Sequence, residues 1–374
     1  MYVEKNIIVG EDGIGFITQT GGSLTAVKQL TIGQQPGSGG LYQLSVPLVG
    51  NNNLIALQVL RDEVIGDAGN GEFVQKGAYH RVQRDLTIGK GAMGGKFEFA
   101  PFIDAVGNKS GGSLTVSGDE TIGVDGHGEF VHTMGYHTVV GTLHMAVNSG
   151  SRADYTMTGT DYRGPIPYNS SVLQVKDLMV GENGEAHFIQ NGGQVSVVGG
   201  GLLVGETYIA AGGAGTYVMD SGPPGGTVTS LTTGRLDIGD HGGGELTINH
   251  GTVTISGSGG TLSQPDISIG ANGHGVINIH AGFILAETAN ALVGDVGQGQ
   301  ISQDGGQIEL KSLTLGGWRE PDGNGGYSFG RGLYFMSGTD SKLTVTGNEI
   351  IADKGLATFS QSGGVHSVQG NLTI

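Results

Sequence analysis

Leu30-Thr31-Ile32-Gly33, Val64-Ile65-Gly66, Leu86-Thr87-Ile88-Gly89 and Glu120-Thr121-Ile122-Gly123 are copies of one phrase, a short aliphatic strand closed by glycine. Working outward, the phrase opens the chain as Ile7-Ile8-Val9-Gly10. It returns at Leu178-Met179-Val180-Gly181, Leu202-Leu203-Val204-Gly205, Leu236-Asp237-Ile238-Gly239, Ile267-Ser268-Ile269-Gly270, Leu292-Val293-Gly294 and Leu313-Thr314-Leu315-Gly316. Weaker copies stand at Leu143-His144-Met145-Ala146 and Ile350-Ile351-Ala352, and Leu372-Thr373-Ile374 is the last. Self-similarity at a fixed period is the signature of repeat architectures, so it is weighed before any single residue.

Taken two at a time, the anchors fall at 10, 66, 123, 181, 239, 294 and 352, in steps of 56, 57, 58, 58, 55 and 58. Each unit holds one short coil, as from Gly10 to Gly33 (23 residues), and one long coil, as from Gly89 to Gly123 (34 residues). The units run 10–65, 66–122, 123–180, 181–238, 239–293 and 294–351, with a final short coil at 352–374. After most anchors comes Gly-x-Gly, an apolar residue, one residue, glutamine, then a glycine turn, as in Gly297-Gln298-Gly299-Gln300-Ile301-Ser302-Gln303-Asp304-Gly305-Gly306. A second alternating piece follows, such as Leu114-Thr115-Val116. Period-two alternation between glycine turns predicts strands, about three per coil. Three short strands per turn, stacked parallel on their copies, predict an all-β fold: a right-handed parallel β-helix (β-solenoid) of about 13 coils, one solenoid over 1–374. At the strand spacing of about 4.8 Å it would be a rod about 60 Å long.

Composition fits. The chain has 75 glycines in 374 residues, 37% hydrophobic and 14% charged residues. A thin solenoid needs only one inward residue in two, and its corners use glycine. Cysteine is absent, which excludes disulfides, thiolate catalysis and zinc–thiolate sites. The net charge of −16 argues against nucleic acid and anionic membranes as partners, and no apolar run is long enough to insert in a bilayer. Met1-Tyr2-Val3-Glu4-Lys5 shows no secretory leader, so the chain reads as a processed or excised product.

The phrase Ile-Gly-x-x-Gly-x-Gly-x-Phe-x-Gln-x-Gly-Gly, followed by an apolar strand and Leu-x-Ile-Gly, resembles the repeats of secreted bacterial β-strand-repeat surface proteins, which are autotransporter-passenger-like. The resemblance covers about residues 6–374. It implies secretion to the cell surface and a role as adhesin, surface layer or matrix fibre. No C-terminal membrane barrel or sorting tail accompanies it.

Four groups of residues are candidates for function. Glu11-Asp12, Asp67, Asp125, Glu182, Asp240 and Asp295 follow the unit-opening anchors, two coils apart. They read as a soluble corner; the alternative is a line of calcium sites at Asp67, Asp125, Asp240 and Asp295. Gln19, Gln75, Gln190, Gln303 and Gln361 share one column, with His132 replacing glutamine in one coil; they read as an amide ladder bonded along the axis. His80, His137 and His366 follow the glycine turn in equivalent places. No neighbouring glutamate or His-x-x-x-His spacing accompanies them, so they read as structural. The long-coil segments 34–48, 100–112, 158–171, 223–235 and 318–338 read as insertions leaving the rungs. They carry Trp318 and the tyrosines Tyr162, Tyr168, Tyr327 and Tyr334, with Tyr155 grouped with them just before 158–171; Trp318, Tyr162, Tyr168 and Tyr327 are the residues expected to contact a glycan or protein partner.

Acids spread one per unit do not gather into a catalytic cleft, so no enzymatic activity is expected. The sequence predicts a structural or adhesive extracellular protein without cofactor. Its expected partners are its own copies, head to tail, other surface proteins, and polysaccharide. A glycan-binding or calcium-dependent module is the alternative, and a polysaccharide-acting enzyme a more remote one.

Overall fold

The computed structural model describes residues 1–47, 55–107, 109–159, 170–199, 205–221, 229–257, 264–317, 319–321 and 327–374, with backbone alone for 319–321 and 327–329. The described residues are all-β, a parallel β-solenoid. They form two compact units, one within Met1–Lys176 and Asn183–Ser196, the other within Asp177–Glu182, Val197–Ser221 and Thr229–Ile374.

In the first unit every coil contributes to three parallel ladders. The anchor ladder runs Ile7–Val9, Leu30–Ile32, Glu63–Ile65, Leu86–Ile88, Glu120–Ile122 and the end of Gly135–Met145. The second, here the aromatic ladder, runs Ile14–Gln19, Gly39–Val46, Asn70–Gly77, Gly95–Ala100, His127–His132, Arg152–Thr158 and Glu185–Asn191. The return ladder runs Tyr2–Val3, Leu24–Ala26, Leu57–Val59, Tyr79–Val82, Gly112–Val116 and the start of Gly135–Met145. The second unit repeats the plan. Its aromatic-ladder equivalents are Ala214–Asp220, Gly243–Ile248, His274–Ile279, Gln298–Gln303, Arg331–Met336 and Leu356–Gln361.

In-register parallel pairing puts like on like. In the first unit Tyr42, Phe73, Phe97, Phe130, Tyr155 and Phe188 stack face to face, with centroids 4.7–5.0 Å apart and planes within 7°. The strand spacing of about 4.8 Å sets that interval, and the rings fill the core as one column. Anchor residues such as Leu30, Ile32, Leu86 and Ile88 are fully buried opposite them.

The glycine closing an anchor turns the corner with positive φ, except at Gly205. The paired anchor strand of that coil is Glu206–Ile209 rather than the expected Leu202-Leu203-Val204-Gly205, and Ala210 takes the corner at φ 62°. At Gly89 φ is +70°, and a Cβ there would lie 2.3 Å from the His127 carbonyl oxygen, so both backbone and space demand glycine. The weaker anchors keep the corner: Ala146 and Ala352 adopt φ of 55° and 64°.

The insertions are shorter than the sequence suggests. Gly39–Val46, Ser230–Thr233 and Arg331–Met336 stay on the rungs as paired strands. Tyr155 and Tyr334, expected in insertions, are fully buried in the aromatic ladder. Within 100–112, Phe102–Ile103 and Lys109–Ser110 do leave the coil, as an antiparallel hairpin, while Ala100 and Gly112 remain on the rungs. Among the described residues no helix is long and apolar enough to cross a membrane.

Candidate functional site

The polar chemistry of this protein lies inside the coils. His80, His137 and His366 sit on the return ladder with side chains turned inward, and each meets a glutamate at the first position of its own coil's anchor. His80 Nε2 is 2.8 Å from Glu63 Oε2, His137 Nε2 is 2.7 Å from Glu120 Oε2, and His366 Nε2 is 2.7 Å from Glu349 Oε2. The first two pairs are fully buried, and in the third only His366 is partly exposed, at 13%. Each imidazole also stacks on its own coil's aromatic ring: His80 on Phe73 at 4.9 Å, His137 on Phe130 at 4.7 Å, His366 on Phe359 at 4.6 Å. The expectation that no glutamate accompanies these histidines is thus corrected. The partners are always 17 residues apart, on strands that face each other only once the coil closes.

The two slots change together. Elsewhere both are apolar, as at Ile7/Leu24, Leu86/Leu114, Ile267/Ile284 and Leu313/Leu343; Thr207 opposite Leu231 is the exception, its hydroxyl bonded to Thr233 at 3.0 Å. A buried carboxylate or imidazolium without its partner carries a large desolvation cost, so the slots are filled as a pair or not at all.

The glutamine column has a different task from the one expected. Leu44 lies between Gln19 and Gln75 in the ladder, so the amides are two coils apart and form no amide-to-amide ladder there. Each Nε2 instead donates to the carbonyl of its own turn: Gln19 to Gly22 (3.2 Å), Gln75 to Gly77 (3.1 Å), Gln190 to Gly193 (2.9 Å), Gln303 to Gly306 (2.9 Å) and Gln361 to Gly364 (3.2 Å). At Gln19 and Gln303 the amide oxygen accepts a tyrosine hydroxyl from the next coil, from Tyr42 at 2.6 Å and Tyr334 at 2.7 Å. His132 reproduces both contacts: Nε2 lies 2.9 Å from the Gly135 carbonyl and Nδ1 lies 3.1 Å from the Tyr155 hydroxyl.

Coil 120–137 therefore joins both systems. Tyr155 Oη, from the next coil, is 3.1 Å from Nδ1 of His132 and 3.1 Å from Nδ1 of His137. Glu120, His137, Tyr155 and His132 form one chain, and all four are fully buried. Burial lowers the His132 pKa to about 3; the nearby His137 lowers it further, and the Gly135 bond opposes the shift. In the coil 63–80 Phe97 stands where Tyr155 stands above His132. There Gln75 Oε1 and His80 Nδ1 are buried without a hydrogen-bond partner.

The calcium candidates take donors from the neighbouring coil. Lys90 Nζ reaches Asp67 at 2.7 Å, Asn148 Nδ2 donates to Asp125 at 2.7 Å, and Asn272 Nδ2 donates to Asp240 at 3.2 Å. Asp295 holds the equivalent corner after Gly294. Among the described residues no group of three or more His, Asp or Glu side chains could hold a metal ion. Trp318, Tyr162 and Tyr168 lie outside the described residues. The Tyr327 backbone pairs antiparallel with Pro321, and its side chain lies outside the description.

One further cluster lies on the outward side of the second unit's anchors. Arg235 bonds Glu206 at 3.0 Å and approaches Asp237 at 3.8 Å, while the Tyr208 hydroxyl donates to Glu206. Burial pushes the Asp237 carboxyl up to about 7; Arg235 opposes this, and Glu206 and Asp240 add to it. An acid within an anchor phrase, Asp237 in Leu-Asp-Ile-Gly, was the sequence signal for it.

Neither a family model, nor a curated protein, nor a solved structure matches this chain.

Proposed function

We propose that the chain is a structural and adhesive subunit of extracellular surface or matrix material that associates with further copies of itself. The observation that carries this reading is in-register repetition: Tyr42, Phe73, Phe97, Phe130, Tyr155 and Phe188 stack in one buried column on successive parallel strands. Parallel ladders of this kind pack like strands on like, which suits building material more than a single binding cleft.

Self-association tests it. Sedimentation velocity and electron microscopy of the purified chain should show species larger than one chain that grow with concentration. The net charge of −16 opposes contact between copies, so added salt should favour association. Monomers at every concentration and salt would overturn the reading.

A further inference from the structure

The outward side of the first unit's aromatic ladder is interrupted at one rung. Two columns of side chains leave it, one through Asn70, His127 and Arg152, the other through Glu72, Lys96, Glu129 and Asp154. Gly94, just before Gly95, holds the register place between Asn70 and His127 and brings no side chain. A recess of about 380 Å³ opens there, lined by Asn70, Glu72, Met93, Lys96, His127 and Glu129 over the Gly94 backbone. That volume falls in the range of about 300–1,000 Å³ that holds small organic ligands. The strands of Asn70 and His127 are two spacings apart, about 9.6 Å, which leaves room for one sugar ring between them.

The two walls of the recess differ. On one, His127 Nε2 is 2.7 Å from Asp154 and Lys96 Nζ is 3.6 Å from Glu129. On the other, Asn70 is exposed and Glu72 half-buried, and among the described residues neither side chain has a hydrogen-bond or ion-pair partner. That wall offers an amide, which donates and accepts, and a carboxylate, which accepts from two hydroxyls; Lys96 adds a donor. Lys96 already takes the rung between Glu72 and Glu129, where a ligand cation would sit. A ligand carboxylate would face both glutamates. The chemistry that remains is an uncharged polyol, its hydroxyls on Asn70, Glu72 and Lys96 and its C–H face on Met93, which is 55% exposed, and on Gly94.

We propose that this recess binds one neutral pyranose ring of a glycan, with Asn70 and Glu72 as the residues that select it. The site rests on the adhesive role proposed for the chain and gives that role a partner class. The probes are neutral hexasaccharides of glucose, galactose, mannose and N-acetylglucosamine, with hexagalacturonate as the anionic counterpart, titrated into the full chain by isothermal calorimetry. At least one neutral probe should bind saturably, and hexagalacturonate should bind about tenfold more weakly or not at all. Glu72→Ala and Asn70→Ala should each weaken binding by about tenfold, as expected for one lost hydrogen bond in a polar site, with an unchanged circular dichroism spectrum. Glu309→Ala, on the outward side of the second unit's return ladder, should leave affinity unchanged. No binding by any neutral probe, tighter binding of hexagalacturonate, or full affinity in both Glu72→Ala and Asn70→Ala would overturn the site. Sedimentation velocity of the same samples separates it from the parent reading: multimers without sugar binding sink the site alone, and sugar binding by a monomer supports the site while sinking self-association.

Discussion

Phe97→Tyr should stabilise the protein, an unusual outcome for adding a hydroxyl to a core. Phe97 stacks on Phe73 at 4.8 Å and 7°, and Tyr155 stacks on Phe130 at 4.8 Å and 3°. The new hydroxyl should therefore arrive over Gln75 and His80 as that of Tyr155 arrives over His132 and His137, each 3.1 Å away. It would donate to Gln75 Oε1 and stand against His80 Nδ1, the two atoms now buried without partners. An unmet buried polar group costs about 1–3 kcal/mol. Desolvating the added hydroxyl costs about 1–3 kcal/mol. Relieving two such groups against one desolvation leaves a net gain of about 1–2 kcal/mol. Phe73→Tyr is the matched control: its hydroxyl would face the coil below, where Leu44 and Leu57 occupy the two slots, and it should cost about 1–3 kcal/mol. Urea unfolding followed by far-UV circular dichroism reads the difference as a shift in midpoint at constant slope. If Phe97→Tyr lowers the midpoint as much as Phe73→Tyr does, the coils 63–97 and 120–155 are not equivalent and the reasoning fails.

Glu63→Leu or His80→Leu alone should lose about 3–5 kcal/mol by stranding a buried partner, whereas the double variant, which copies Leu86/Leu114 above it, should be neutral or gain about 1–4 kcal/mol; urea midpoints of the three decide it. Asp237, raised from 3.8 to about 7, binds its proton more tightly folded than unfolded, so its contribution to stability is present below about pH 4 and is lost as pH rises toward 7. The loss amounts to about 4 kcal/mol at most, and Asp237→Asn should flatten the stability profile across that window. Gly89→Ala meets both a φ of +70° and a backbone oxygen at 2.3 Å, and should cost more than about 1–2 kcal/mol in thermal or urea unfolding.

The fold was legible because its information is local. Spacing between anchors, alternation within strands and glycine at the corner of Leu86-Thr87-Ile88-Gly89 are properties of short windows, and in-register stacking follows from their repetition. The site was less legible. Tyr155 and Tyr334 belong to the rungs, but unequal insertion lengths hid the strand that holds them. The glutamines were recognisable as a buried column, yet Leu44 between Gln19 and Gln75 shows that bonding runs to turns and tyrosines, not from amide to amide.

By itself the sequence determined that this chain coils, where most of its anchor strands lie and how residues alternate within them, since these depend on neighbours along the chain. Only the tertiary structure decided what those inward residues meet. Glu63 and His80, 17 residues apart, touch because two corners turn the chain back across its own coil. Tyr155 reaches His132, 23 residues earlier, because one coil stacks on the next with its aromatic ring in register. Contacts across and between coils depend on corner geometry and stacking, which no short window of residues contains.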